Sequence, residues 1–181
     1  MMHIAGAREL AAGRDWPIQR QTHHAETLRR SILPIVQSSI EINGPIDEVY
    51  RLAKNVESFP EFMPDVKSIN VVERSEDSKR TVVDWVGIVK EFRTTIKWTE
   101  EDIWDDEAHA CVFTLVKGDY SKYSGVWTFT DLGGRTRFDS EIEVEYDVPL
   151  VGALIKGIIA KKMKENVDNM LAAIKAKVEG R

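Results

Sequence analysis

From Val66 to Tyr146 apolar and polar residues alternate with a period of two, broken by short polar clusters. The clusters are Ser75-Glu76-Asp77-Ser78, Asp105-Asp106, Lys117-Gly118-Asp119 and Leu132-Gly133-Gly134. Successive side chains of a strand point to opposite faces, so this pattern predicts consecutive antiparallel hairpins. It is clearest in the last strand, where Phe138, Ser140, Ile142, Val144 and Tyr146 alternate with Asp139, Glu141, Glu143, Glu145 and Asp147. One face is acidic and wet, the other dry. The same period sets Phe92, Thr94, Ile96 and Trp98, then Cys111, Phe113 and Leu115, then Gly125, Trp127 and Phe129 toward the dry face.

Upstream, Val36–Ile42 reads as a first strand that ends at the turn Asn43-Gly44-Pro45. Pro45 suits the first position of a helix, Asp47 and Glu48 complement its dipole, and Ile46, Val49, Tyr50 and Ala53 share one apolar face. The next segment gathers Phe59, Phe62 and Met63 between Pro60 and Pro64, which allows only a brief second helix carrying an aromatic plug. Residues 1–33 show no sustained period and contain Gly6, Gly13 and Pro17, as expected of a loosely ordered extension or one short helix. The domain is therefore placed at 34–181, with 1–33 outside its core.

A sheet with so aromatic a dry face must be covered, and the remaining element of sufficient length is the segment after Pro149. A helix from Pro149 to Val178 would span about 45 Å. Along it Leu150, Val151, Leu154, Ile155 and Ile158 centre on one side. Met163, Val167, Met170, Leu171, Ile174 and Val178 centre roughly 160° away. One straight helix cannot bury both stripes on one sheet, so a bend or break is expected near Gly157–Lys161, with the leading piece placed where a ligand would enter. The alternative is an apolar collar packed on the strand ends, since Gly152 and Gly157 serve close packing as readily as mobility.

The order of strand, two short helices, six strands and a long helix is the helix-grip arrangement: an α+β fold whose curved, antiparallel, seven-stranded sheet wraps a long C-terminal helix. Three segments, Ile42–Tyr50, Phe59–Val66 and Gly125–Phe129, carry a resemblance to the polyketide cyclase/dehydrase and coenzyme Q-binding branch of the START-like superfamily. The resemblance spans Val36 to Val178. It implies a deep cavity between sheet and helix, with isoprenoid quinones, lipids, polyketides or plant hormones as occupants in family members. It also implies three kinds of activity. Some members only bind or chaperone their ligand, others are aromatase/cyclases that promote aldol condensation and dehydration, and a related branch is a ribosome-associated toxin.

Composition permits this reading without selecting it. The chain has 181 residues, 43% hydrophobic and 30% charged, as one globular domain would. A net charge of -5 argues against nucleic acid as the main partner, which would require a basic footprint. Cys111 is the single cysteine, so neither an intrachain disulfide nor a thiol-rich metal site is available, and a reducing, cytoplasmic setting fits. The longest apolar run, Val148–Ala160, is interrupted by Lys156 and is too short to span a bilayer. Arg8, Glu9, Arg14 and Asp15 break up any signal-peptide core.

The candidate chemistry is sparse. His3, His23 and His24 lie in the extension and His109 follows a turn, so no scaffolded triad is indicated. Adjacent His23 and His24 would diverge by about 100° on a helix, and neither a metal nor a cofactor is expected. The residues expected to line a ligand cavity are Phe59, Phe62, Trp85, Thr94, Ile96, Trp98, Phe113, Leu115, Trp127, Phe129, Tyr146, Leu154 and Ile158. Asp84, Thr94, Tyr123, Ser140 and Tyr146 could orient a ligand, and a cyclase would need an acid or phenol such as Asp84, Tyr123 or Tyr146 to move protons. Each serves equally as a structural hydrogen-bonding group. Lys156, Lys161, Lys162 and Lys164 could meet ribosomal RNA or an anionic membrane, but read best as a solvated helix face. Binding or transport of a small hydrophobic ligand, with transient membrane contact, is the leading expectation; the rivals are an aromatase/cyclase and a ribosome-associated module.

Overall fold

Seven antiparallel strands form one sheet in the order β1-β7-β6-β5-β4-β3-β2, and a long helix crosses its concave side. This is seen in a computed structural model that describes residues 35–90, 93–145 and 153–180, with side chains of the last segment from Ala160 onward. The strands are β1 (Ile35–Ile42), β2 (Val66–Arg74), β3 (Arg80–Val89), β4 (Thr94–Asp105), β5 (Ala110–Gly118), β6 (Lys122–Asp131) and β7 (Thr136–Glu145). Helix α1 (Ile46–Lys54) and a 3-10 segment (Val56–Glu61) follow β1, and α2 (Ala153–Val178) ends the fold.

The hairpins β2 to β7 form a meander, while β1 joins the far edge beside β7, pairing Val36 with Ile142 and Ile40 with Phe138. Three irregularities bend the ladder: two between β2 and β3, near Val66/Ser68 and Val71/Glu73, and one between β4 and β5 at Thr99/Glu100. Such bulges sharpen twist and curvature, which turns the inner face into a trough. Gly125 sits at the floor of that trough. A Cβ there would lie 2.4 Å from Phe113 Cζ and 2.3 Å from the Glu141 carbonyl oxygen, so its bare backbone is what lets the Phe113 ring lie across β6.

Pro45 caps α1 in an extended conformation, and its carbonyl accepts from the Glu48 and Val49 amides. Val49, Tyr50 and Ala53 are buried beneath it. The α1 face is tied to the β4–β5 turn: Tyr50 Oη donates to Asp106 Oδ1 at 2.8 Å, and Lys54 Nζ reaches the same oxygen. Burial and that carboxylate push the Tyr50 phenol far above its ordinary range, while Lys54 holds Asp106 below its own.

Met163, Val167, Leu171 and Ile174 form the buried stripe of α2, the second of the two stripes read from the sequence. Its polar contacts staple the helix to β1: Ser38 Oγ donates to Asp168 Oδ1 at 2.7 Å, and the Asn43 amide donates to Glu179 Oε1 at 2.9 Å. The expected break near Gly157–Lys161 is corrected, because α2 runs unbroken from Ala153 through this stretch. A helical hydrogen-bond ladder continues whichever stripe is buried, and one internal glycine costs only about 1 kcal/mol. The extension 1–33, Phe92 and Tyr146 lie outside the described residues, as do the side chains of Leu150, Val151, Leu154, Ile155 and Ile158.

Candidate functional site

Between the trough and α2 lies a cavity of about 100 Å³. Trp85, Ile96, Trp98, Tyr123, Trp127 and Ile142 wall it from the sheet, and Met163, Val167 and Met170 from α2. The loop Met63–Val66 after the 3-10 segment and Tyr120 from the β5–β6 turn complete it. Exposed Asn166 and Asn169 also border it, so its mouth opens between α2 and that loop. Asn169 Nδ2 donates to Asp65 Oδ2 at 3.1 Å across this mouth.

The wall is largely π-surface. Trp85 and Trp98 stack at a centroid distance of 5.5 Å, and Tyr120 stacks on Tyr123 at 5.1 Å. Trp98 meets Tyr120 edge-on at 5.5 Å and Tyr123 at 5.7 Å. These offset and edge-to-face contacts favour a preformed wall, since each ring is fixed by another ring.

At the inner end the wall turns acidic. On β4 the even positions face inward, so Ile96 and Trp98 are followed by Glu100, Asp102 and Trp104. Both carboxyls are only 3% exposed. Glu100 Oε2 accepts from Trp98 Nε1 at 2.7 Å, and Asp102 Oδ2 accepts from Thr81 Oγ1 at 3.2 Å. Burial, and next the charge of Asp102, raise the Glu100 carboxyl well above the usual carboxylate range. Burial likewise pushes Asp102 up to about 7, against the hydrogen bonds from Thr81 and Glu100. Two such acids in a dry site cannot both ionise at neutral pH, so the pair retains a proton and Glu100 is its holder. The same surroundings raise the Tyr123 phenol and the Cys111 thiol, burial being the first cause for each.

Among the described residues three buried polar side-chain atoms have no hydrogen-bond partner: Trp85 Nε1, Trp127 Nε1 and Ser140 Oγ. The Trp85 N–H faces the Glu100 carboxyl without completing a bond to it. Ser140 is the cross-strand partner of Trp127, so two of the three unpartnered atoms belong to one inward pair. Buried polar atoms are nearly always paired, which makes this concentration informative.

Of the residues expected to line a cavity, the fold brings Trp85, Ile96, Trp98 and Trp127 together around it, with Tyr123 beside them. Phe59, Phe113 and Phe129 are instead buried in the core, and Phe62 and Leu115 pack against that core half-buried. Two positions are corrected. Thr94 is exposed at the start of β4 and does not border the cavity. Asp84 lies on the opposite face from Val83 and Trp85, where it accepts from Thr99 Oγ1 at 2.6 Å. Sequence reasoning misses Glu100 and Asp102 because charged residues read as the wet face, although extending the register of Ile96 and Trp98 by four residues sets both inward.

Of the lysines expected to form a basic stretch on α2, Lys161, Lys162 and Lys164 are engaged within their own helix, and the side chain of Lys156 lies outside the described residues. Lys162 Nζ lies 2.6 Å from Glu165 Oε2, Lys161 3.9 Å from Glu165 Oε1, and Lys164 2.5 Å from Asp168 Oδ1. They form the solvated face expected of such a run.

Comparison with known proteins agrees with this geometry. Residues 42–171 match the family model described as polyketide cyclase / dehydrase and lipid transport. The ribosome association toxin RatA of Escherichia coli K12 is 25% identical over 81% of this chain and 87% of its own. The crystal structure of TTHA0849 from Thermus thermophilus is 33% identical, with a TM-score of 0.76 over 81% of this chain and 98% of that one. The ZhuI aromatase/cyclase from Streptomyces sp. R1128 has the same fold, at 17% identity and a TM-score of 0.68 over 80% and 93%. A helix-grip sheet, a covering helix and a family match across most of the chain make it a member of the polyketide cyclase/dehydrase and lipid transport family.

Proposed function

We propose that this protein binds and carries a small, largely apolar molecule in the cavity between its sheet and α2. The observation that carries this reading is the cavity wall itself, aromatic and methionine-rich along its length with polar groups only at its inner end and its mouth. Small-molecule sites have this character, with apolar area supplying affinity and a few polar groups setting orientation. Burial of about 200 Å² of apolar ligand surface would contribute roughly 5 kcal/mol. At about 100 Å³ the cavity accepts the inner end of a ligand, the remainder passing out between α2 and the Met63–Val66 loop. An isoprenoid quinone, a lipid or a polyketide-like molecule fits that arrangement, in a cytoplasmic setting with transient membrane contact. Among the described residues no helix is long and apolar enough to cross a membrane. If the site were instead to catalyse a cyclisation, Glu100 would be the acid it offers.

The test is native mass spectrometry and solvent extraction of the purified protein. A reproducible bound apolar molecule, lost on replacing Met163 by Trp to fill the cavity, supports the reading. Repeated recovery of an empty protein that takes up no apolar probe would overturn it.

A second reading, association with the ribosome, is favoured by two observations: the name of the curated relatives, and a cavity below the roughly 300–1,000 Å³ usual for ligand sites. It predicts cosedimentation with ribosomal subunits, unaffected by filling the cavity.

A further inference from the structure

We infer that the inner end of the cavity recognises an uncharged oxygen acceptor, such as a ketone, quinone or ester carbonyl, presented to the indole N–H groups of Trp85 and Trp127 beside Glu100. This rests on the ligand-binding reading above and specifies the class of ligand.

The argument begins from what is left unpaired. Trp85 and Trp127 are 6% and 5% exposed, both border the cavity, and neither indole N–H completes a hydrogen bond, although that of Trp85 faces the Glu100 carboxyl. An indole N–H can only donate, so what completes it must be an acceptor atom. Ser140 Oγ, opposite Trp127 on β7, is the third unpartnered atom but does not border the cavity. No carboxyl oxygen of Glu100 or Asp102 is among the unpartnered atoms. The deficit at this end of the cavity is therefore one of acceptors, which an amine or ammonium group would leave unfilled.

Charge excludes the other common acceptor. Among the described residues no Lys, Arg or His borders the cavity, while Glu100 borders it with Asp102 two residues further along the same face of β4. A carboxylate, sulfonate or phosphate would meet like charge without a counterion in a dry site. A neutral carbonyl avoids this, and the proton that the pair holds stays engaged between Glu100 and Asp102. The apolar remainder of the ligand then lies along Trp98, Ile96 and Met170 toward the mouth.

The experiment uses the full chain labelled with 15N and four one-ring probes of similar size: acetophenone, cumene, benzoate and benzylammonium. Titrations are followed by indole N–H cross-peaks, assigned with Trp85→Phe and Trp127→Phe. Acetophenone is expected to shift the Trp85 or Trp127 peak and to bind about 3- to 10-fold tighter than cumene, the range one hydrogen bond supplies. Benzoate and benzylammonium should each bind more weakly than cumene. Trp127→Phe should weaken acetophenone toward the cumene value and leave cumene unchanged; if that variant does not fold, Trp85→Phe tests the same point. Equal binding of acetophenone and cumene, with unmoved indole peaks, would overturn the acceptor assignment and leave the apolar cavity standing. Tighter binding of benzoate or benzylammonium would overturn it in favour of a charged ligand. Failure of all four probes to bind would overturn the ligand-binding reading as well.

Discussion

Replacing the buried acids by their amides, Glu100→Gln together with Asp102→Asn, should abolish most of the pH dependence of stability between pH 5 and 9. In the folded protein Asp102 is pushed up to about 7 from an ordinary value of 3.8, chiefly by burial. The difference is about three pH units, worth roughly 4 kcal/mol at about 1.4 kcal/mol each. The folded state keeps a proton that the unfolded chain releases above about pH 4. Stability from this group is thus complete below that pH, declines as pH rises and is lost above about 7. Glu100, raised further by burial and by Asp102, extends the decline into the alkaline range. Asp106 and Asp168 are held below their ordinary range, so their contributions are lost only in acid, outside this window. For a protein of this size each kcal/mol is about 2–4 °C in Tm, so the wild type should lose on the order of 10 °C between pH 5 and 9. Circular-dichroism melts and urea titrations across that range measure it. The double variant should be nearly flat and should exceed the wild type above pH 8. Equal slopes in the two proteins, or a wild type whose stability rises with pH, would refute the assignment of a proton to this pair.

Three further outcomes follow from the packing. Gly125→Ala places a methyl against the Glu141 carbonyl and the Phe113 ring, so urea denaturation should show a loss of about 1–3 kcal/mol. Adding Phe113→Ala should fail to restore it, because the carbonyl cannot move aside without displacing β7. Tyr50→Phe keeps the ring but removes its bond to Asp106, and should cost about 1–2 kcal/mol in the same assay while Lys54 remains on that carboxylate. Met170→Trp adds a ring at the mouth side of a cavity of about 100 Å³, so acetophenone binding measured by calorimetry should fall at least about tenfold with little change in Tm.

The period-two pattern makes the strands and their hairpin order legible, because alternation and turn chemistry are local. The α2 stripe Met163, Val167, Leu171 and Ile174 is legible for a similar reason, since one helix face reports one buried surface. Its leading stripe misleads: two apolar stripes suggest a break, whereas the backbone ladder passes straight through Gly157. The site is only half legible. Its aromatic wall stands out by residue type, but which aromatics border space and which fill the core depends on how deeply the sheet curves. Phe113 and Trp127 share a face, yet only Trp127 borders the cavity. Glu100 and Asp102 are hidden because their chemistry contradicts their register, and only packing reveals that the register prevails.

The pairing of β1 with β7 has a consequence for how the chain comes to be folded. Ile35 finds its partner in Glu143, and Ser38, Glu41 and Asn43 find theirs on α2 or just beyond its end, so the first strand depends on the last two elements synthesised. Closing a loop of about 100 residues is entropically slow compared with forming the hairpins between β2 and β7. Those hairpins can assemble while β1 and α1 wait unpaired, and during that interval the tryptophan-lined trough has no lid. A chain stalled or cut before α2 would therefore present Trp85, Trp98 and Trp127 to solvent, and one stalled before β7 would leave β1 without its partner strand. The last turns of α2 thus add a second fastening to the first strand, through Lys175 and Glu179, to the one that β7 supplies.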